Sequence, residues 1–99
     1  MIDLEDADKQ ALDAMVARYG EQAVRAALAP DAVAAVKTLA RRELETLCLV
    51  AAGHTIKTAA RAMGISPNTA DHNMKEAREK LGITSRAQAA ALVVRAGVA

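Results

Sequence analysis

An all-helical fold is predicted by three observations. Of the 52 apolar residues in this 99-residue chain, 25 are alanine, the strongest helix former. β-Branched residues are few and the only aromatic side chain is one tyrosine, which leaves little from which to build a sheet. Apolar residues also recur at helical spacing between evenly placed Gly and Ser-Pro punctuation, which cuts the chain into short helices. The length fits one small folded unit.

The elements follow in order. Leu4, Ala7, Ala11, Leu12, Met15, Val16 and Tyr19 define one face of a first helix over 4–19, with Gly20 as its stop. A second helix spans 21–29. Pro30 suits the first turn of a third piece through 31–37. The next helix runs over 41–52, with Leu44, Leu47 and Cys48 on one side and Gly53 as a left-handed cap. Thr55 caps a short helix over 56–63. Gly64-Ile65-Ser66 is a tight turn, after which Ser66 is an N-cap and Pro67 the first residue of a helix reaching about Leu81. Gly82 stops it. Ser85 with Gln88 forms a capping box for a last helix over 86–96, which Gly97 ends.

Charge divides the chain. Residues 1–36 carry three bases and seven acids, net −4, whereas residues 37–99 carry ten bases and five acids, net +5. Any nucleic-acid contact is therefore expected in the second part. The N-terminus, MIDLEDAD, has neither the basic nor the apolar region of a secretory signal, and no apolar run approaches the ~20 residues of a membrane span. A cytoplasmic protein without membrane contact is the expectation.

Two helices joined by a three-residue turn containing Gly, the second capped by Ser-Pro, make the outline of a helix-turn-helix. On the second helix Ala70, Met74, Ala77 and Leu81 form one stripe that should face the core. Asn68, His72, Lys75 and Glu79 lie opposite, with Asp71 at an edge. A helix entering a major groove needs such a face: hydrogen-bonding side chains near its N-terminus and no bulky apolar obstruction.

Over Leu39 to Ala96 the chain resembles the LuxR-type (GerE-type) helix-turn-helix of bacterial transcription regulators. The matching residues, without a gap, are Leu39, Arg42-Glu43, Glu45, Leu47, Leu49, Ala51, Gly53, Lys57, Ala60, Ile65-Ser66, Thr69, Lys80-Leu81-Gly82 and Ser85-Arg86, with Thr55, Met63 and Ile83 as conservative variants. The resemblance implies a four-helix DNA-binding domain over 37–99 whose third helix, about 67–81, reads the major groove, and whose fourth helix often forms a dimer contact. Residues 1–36 then form an acidic helical segment that covers the domain, extends a dimer interface or binds a protein partner. The expected form is a stand-alone regulator without a receiver or autoinducer-binding domain.

On this reading the residues facing double-stranded DNA are Thr55, Lys57, Asn68, Thr69, Asp71, His72 and Lys75. Departures from the family pattern fall among them and beside them. Ala40 stands where the family has a Thr cap, so continuous helix from Ala32 onward is one expectation. Ala70 replaces a Val, Asp71 a Lys and Asn73 a His. An acid at 71 repels phosphate, yet can accept a hydrogen bond from cytosine N4. The alternative from a different class is a protein-interaction module, or antagonist of another transcription factor, that keeps the scaffold with weak or no DNA binding.

The remaining polar residues read plainly. His54 follows a helix-stopping Gly and is a turn histidine. Cys48 is a core thiol. Asp71, Glu76 and Glu79 are solvated charges or partners for Lys75 and Lys80. No catalytic residue, metal site, cofactor or small-molecule ligand is expected; Cys48, His54 and His72 are too scattered to share a metal. The last helix is apolar nearly all round. Ala89, Val93 and Ala96 form a second stripe, expected to point outward and pair with a twofold copy in a homodimer, with the N-terminal helices as the competing cover.

Overall fold

The computed structural model describes residues 4–27 and 34–96, with side chains over 4–18 and 34–96. Among the described residues it is all-helical, with α1 (Asp6–Ala27), α2 (Arg41–Ala52), α3 (Ile56–Met63), α4 (Pro67–Leu81) and α5 (Arg86–Arg95). Residues 34–36, which precede α2, are also helical. Helices α2 to α5 begin where the sequence places them, and the ends of α2, α3 and α4 have a local cause; Gly97, the expected stop of α5, lies outside the described residues. Gly53, Gly64 and Gly82 all take positive φ, at 117°, 69° and 64°. At Gly53 the guanidinium of Arg86 would also lie 3.0 Å from an added Cβ. Ser66 and Ser85 accept hydrogen bonds from the amides of Thr69 and Gln88.

Three expectations require correction. Helix α1 runs unbroken through Gly20 to Ala27, where two helices were expected. Glycine permits a stop without imposing one; inside a helix it costs only about 1 kcal/mol relative to Ala, and the helical neighbours on both sides outweigh that. Of the expected piece from Pro30 through 31–37, residues 34–36 are helical, and residues 30–33 lie outside the described residues. The chain also does not enter α2 as continuous helix. Residues 37–39 form a turn, and Ala40 has extended backbone (φ −59°, ψ 148°).

The missing threonine cap is replaced from the other direction. The carboxylate of Glu43 accepts the Ala40 amide at 3.1 Å. Lys80, at the end of α4, donates to both Glu43 oxygens at 2.8 and 3.0 Å. Lys80 thus makes its ion pair across to α2, 37 residues away in sequence. The Lys80 hydrogen bond, with the Ala40 amide adding to it, holds the Glu43 carboxyl below its ordinary value of 4.5 despite burial. A carboxyl depressed in the folded state stabilises the fold above its unfolded pKa, and that contribution disappears as pH falls through the folded value. Glu43→Gln should therefore flatten the loss of stability on acidification below about pH 4.5. Glu43→Ala should cost about 1 kcal/mol at neutral pH, the magnitude of a helix N-cap. Urea unfolding followed across pH checks both.

The core is built from Leu44, Leu47, Cys48 and Ala51 of α2, Met74, Ala77 and Leu81 of α4, and Ala89 to Val93 of α5. Helix α1 packs along α5 and, less extensively, on α2. Leu12 is its buried anchor, joined by Leu4 just before the helix; Ala11, Met15 and Val16 are partly buried. The third correction follows. Ala89 and Val93 are fully buried and Ala96 is 9 % exposed, so the second stripe of α5 does not point outward. A helix apolar on two sides needs two partners, and packing against α1 and α2 of the same chain buries both sides without the association entropy a separate copy must lose.

Candidate nucleic-acid interface

Helices α3 and α4 form the helix-turn-helix. Gly64 closes α3 with its amide on the Arg61 carbonyl, and the Ile65 amide donates to the Ala60 carbonyl. Ser66 then starts α4, accepting the Thr69 amide at 3.1 Å and sharing a 2.8 Å hydrogen bond with the Thr69 hydroxyl. Ala70, Met74, Ala77 and Leu81 are buried, as the face analysis requires. That burial turns Asn68, Thr69, His72 and Lys75 outward, all exposed, with Asp71 at the margin.

Asp71 is not a free charge. Its Oδ2 lies 3.0 Å from Lys75 Nζ, one turn along α4. Both side chains are about half exposed or more, so water screens the pair and its contribution to stability is small. The consequence for recognition is larger: at rest the pair neutralises the cation on the outward face of α4.

On α3, the Thr55 hydroxyl caps the helix by accepting the Thr58 amide at 3.1 Å, and Lys57 in the first turn is exposed. Arg61, also exposed, stands one turn beyond Lys57. The two flank a shallow groove with Ala60, Ile65 and Pro67, which brings both cations to the start of α4. Arg61 was not singled out in the sequence reading. Its spacing of four from Lys57 was the available signal.

His54 is a turn residue, as expected, but not a bare one. Its Nε2 is 2.9 Å from Asp8 Oδ1 of α1, and its Nδ1 is 3.1 Å from Thr58 Oγ1 of α3. No local pattern could disclose a pairing across 46 residues. Cys48 is buried, and desolvation together with the nearby Glu45 carboxylate pushes its thiol up to about 12, so it carries no thiolate chemistry near neutral pH. Among the described residues, no group of His, Cys, Asp or Glu could hold a metal ion. No helix among them is long and apolar enough to cross a membrane.

A short helix, a glycine turn and a capped helix with a polar outward face define a helix-turn-helix protein. Comparison with known families gives the same class more closely: residues 37–93 match the GerE family, described as bacterial regulatory proteins of the luxR family. The chain belongs to that family, and with it to the DNA-binding transcription regulators, which in general are not enzymes. No curated protein and no solved structure matches the chain.

Proposed function

We propose that the chain is a sequence-specific transcription regulator that lays α4 in the major groove of double-stranded DNA. The observation that carries this reading is the division of α4 into a buried apolar stripe and an exposed face of Asn68, His72 and Lys75 at its N-terminal half. The Asn68 amide can pair with adenine, and Lys75 can donate to guanine O6 and N7. Thr55, Lys57 and Thr69 sit at the starts of α3 and α4, where phosphate is favoured, and they supply position rather than sequence information. Asp71 either accepts from cytosine N4 or restrains Lys75 until a base competes for it.

Action in the cytoplasm and as a homodimer belongs to the same reading. One helix-turn-helix touches few bases, and twofold pairing on a pseudo-palindromic site doubles the contacts. With α1 docked, Ala89, Val93 and Ala96 have no surface to offer a second copy. Pairing through them requires α5 to part from the helices packed on it, so the exposed side of α1 is the other face available for self-association or a protein partner.

Selection of bound sites from random duplexes tests the reading. The wild type should return a defined consensus. Lys57→Ala should weaken binding to every sequence and lower the salt slope by about one unit, whereas His72→Ala should alter preference at particular bases by about 1–3 kcal/mol. A wild type without sequence preference at moderate salt overturns it. The Asp71–Lys75 pair favours the second reading in that case: a neutralised outer face suits a module that binds another regulator.

A further inference from the structure

The polar link between α1 and the helix-turn-helix runs through one imidazole. A carboxylate only accepts, so His54 Nε2 carries the hydrogen and donates to Asp8 at 2.9 Å. In the neutral ring Nδ1 is then an acceptor, and it takes the Thr58 hydroxyl hydrogen across 3.1 Å. The Thr58 oxygen in turn accepts the Thr55 amide at 3.0 Å, while the Thr58 amide donates to the Thr55 hydroxyl at 3.1 Å. The chain of bonds thus leads from α1 into the first turn of α3, the turn that bears Lys57.

We propose that Asp8 and His54 are positioning residues for DNA contact: α1 reaches through the imidazole to hold the first turn of α3 in the form that presents Thr55 and Lys57 to phosphate. This rests on the DNA reading above. The physical case is one of exposure. Thr55 and Thr58 are exposed, α3 has only eight residues, and a short exposed helix start frays readily against water. The partner that restrains it is sheltered: the side chains of His54 and Asp8 are only 27 % and 17 % exposed. Glu5, just before α1, and Glu45 of α2 border the same cavity beside His54, with Leu4, Leu49 and Ala62 completing its wall. Of the three carboxylates there, Asp8 makes the hydrogen bond to the ring.

The proposal reverses the sign that simple electrostatics gives. Asp8 is a negative charge near a phosphate-facing turn, so as a bare charge its removal should tighten DNA binding. As a positioning group its removal should loosen it. The test uses the full chain, a random-sequence DNA duplex at fixed ionic strength, and amide exchange at Thr55 and Thr58 in the free protein. Circular dichroism verifies that each variant is folded at the assay temperature. Asp8→Ala should weaken binding about 3- to 10-fold, the equivalent of one hydrogen bond, and speed exchange at both amides by a similar factor. Asp13→Ala, which removes the same charge from the same helix, should leave exchange unchanged and binding unchanged or tighter. Asp8→Asn keeps an acceptor for the ring N–H without the charge, and should restore both exchange and affinity. Asp8→Ala that binds as tightly as wild type, or with unaltered exchange, overturns the proposal. A wild type that binds no duplex at low salt fails the DNA reading and the proposal with it; that failure is told apart from failure of the hydrogen-bond chain by the exchange measurement, which needs no DNA.

Discussion

Val93→Glu is expected to cost about 4 kcal/mol or more in folding stability, enough to abolish most of the folded population of a small domain. Val93 has no exposed surface, and α1 packs along the helix that carries it. The substitution loses the buried valine contacts and brings a carboxylate into a site built from alanine, leucine and valine. The chain can relieve that burden only by unfolding or by parting the helices packed on α5. Thermal melts by circular dichroism read the first outcome. Sedimentation reads the second, since parting α5 from its neighbours exposes the Ala89, Val93 and Ala96 stripe and changes the shape or association of the protein. A fully stable variant that merely changes from dimer to monomer would place Val93 at a twofold contact and overturn its burial within one chain.

Asp71→Lys should produce the largest change in DNA binding. The substitution removes a carboxylate 3.0 Å from Lys75 Nζ, so it adds one cation and releases another. With both cations facing phosphate, the dependence of log affinity on log salt should steepen by up to about two units, and low-salt affinity should rise by up to about tenfold per added contact. Discrimination between sequences should fall, because an acceptor for cytosine is lost while the new gain is indifferent to base. Titrations of a selected site and a random duplex over a range of salt measure both effects. An unchanged slope would show that the margin of α4 bearing Asp71 faces away from DNA.

Much of the helix-turn-helix is legible in the sequence because its determinants are local. Gly64 needs positive φ, Ser66 reaches an amide three residues ahead, and Pro67 fits only a first turn; each acts within one turn of chain. The alanine, methionine and leucine stripe of α4 is equally local, and it determines which side chains remain to face DNA. The errors fall where a local signal permits more than one outcome. Gly20 allows a helix to end and equally allows it to continue. The second stripe of α5 demands a cover without naming it.

The sequence by itself determined the helical class, the limits of α2 to α5, the outward face of α4 and, through the residues from Leu39 to Ala96, the family. These rest on backbone preferences and side-chain periodicity, which reach no further than a few residues along the chain. Only the tertiary structure decided that Ala89 and Val93 are buried within one chain, that Lys80 anchors the Glu43 cap at the start of α2, and that Asp8 holds His54. The reason is common to all three. Each joins groups far apart in sequence, 37 residues for Lys80 and Glu43 and 46 for His54 and Asp8, and such pairs exist only once the helices have packed.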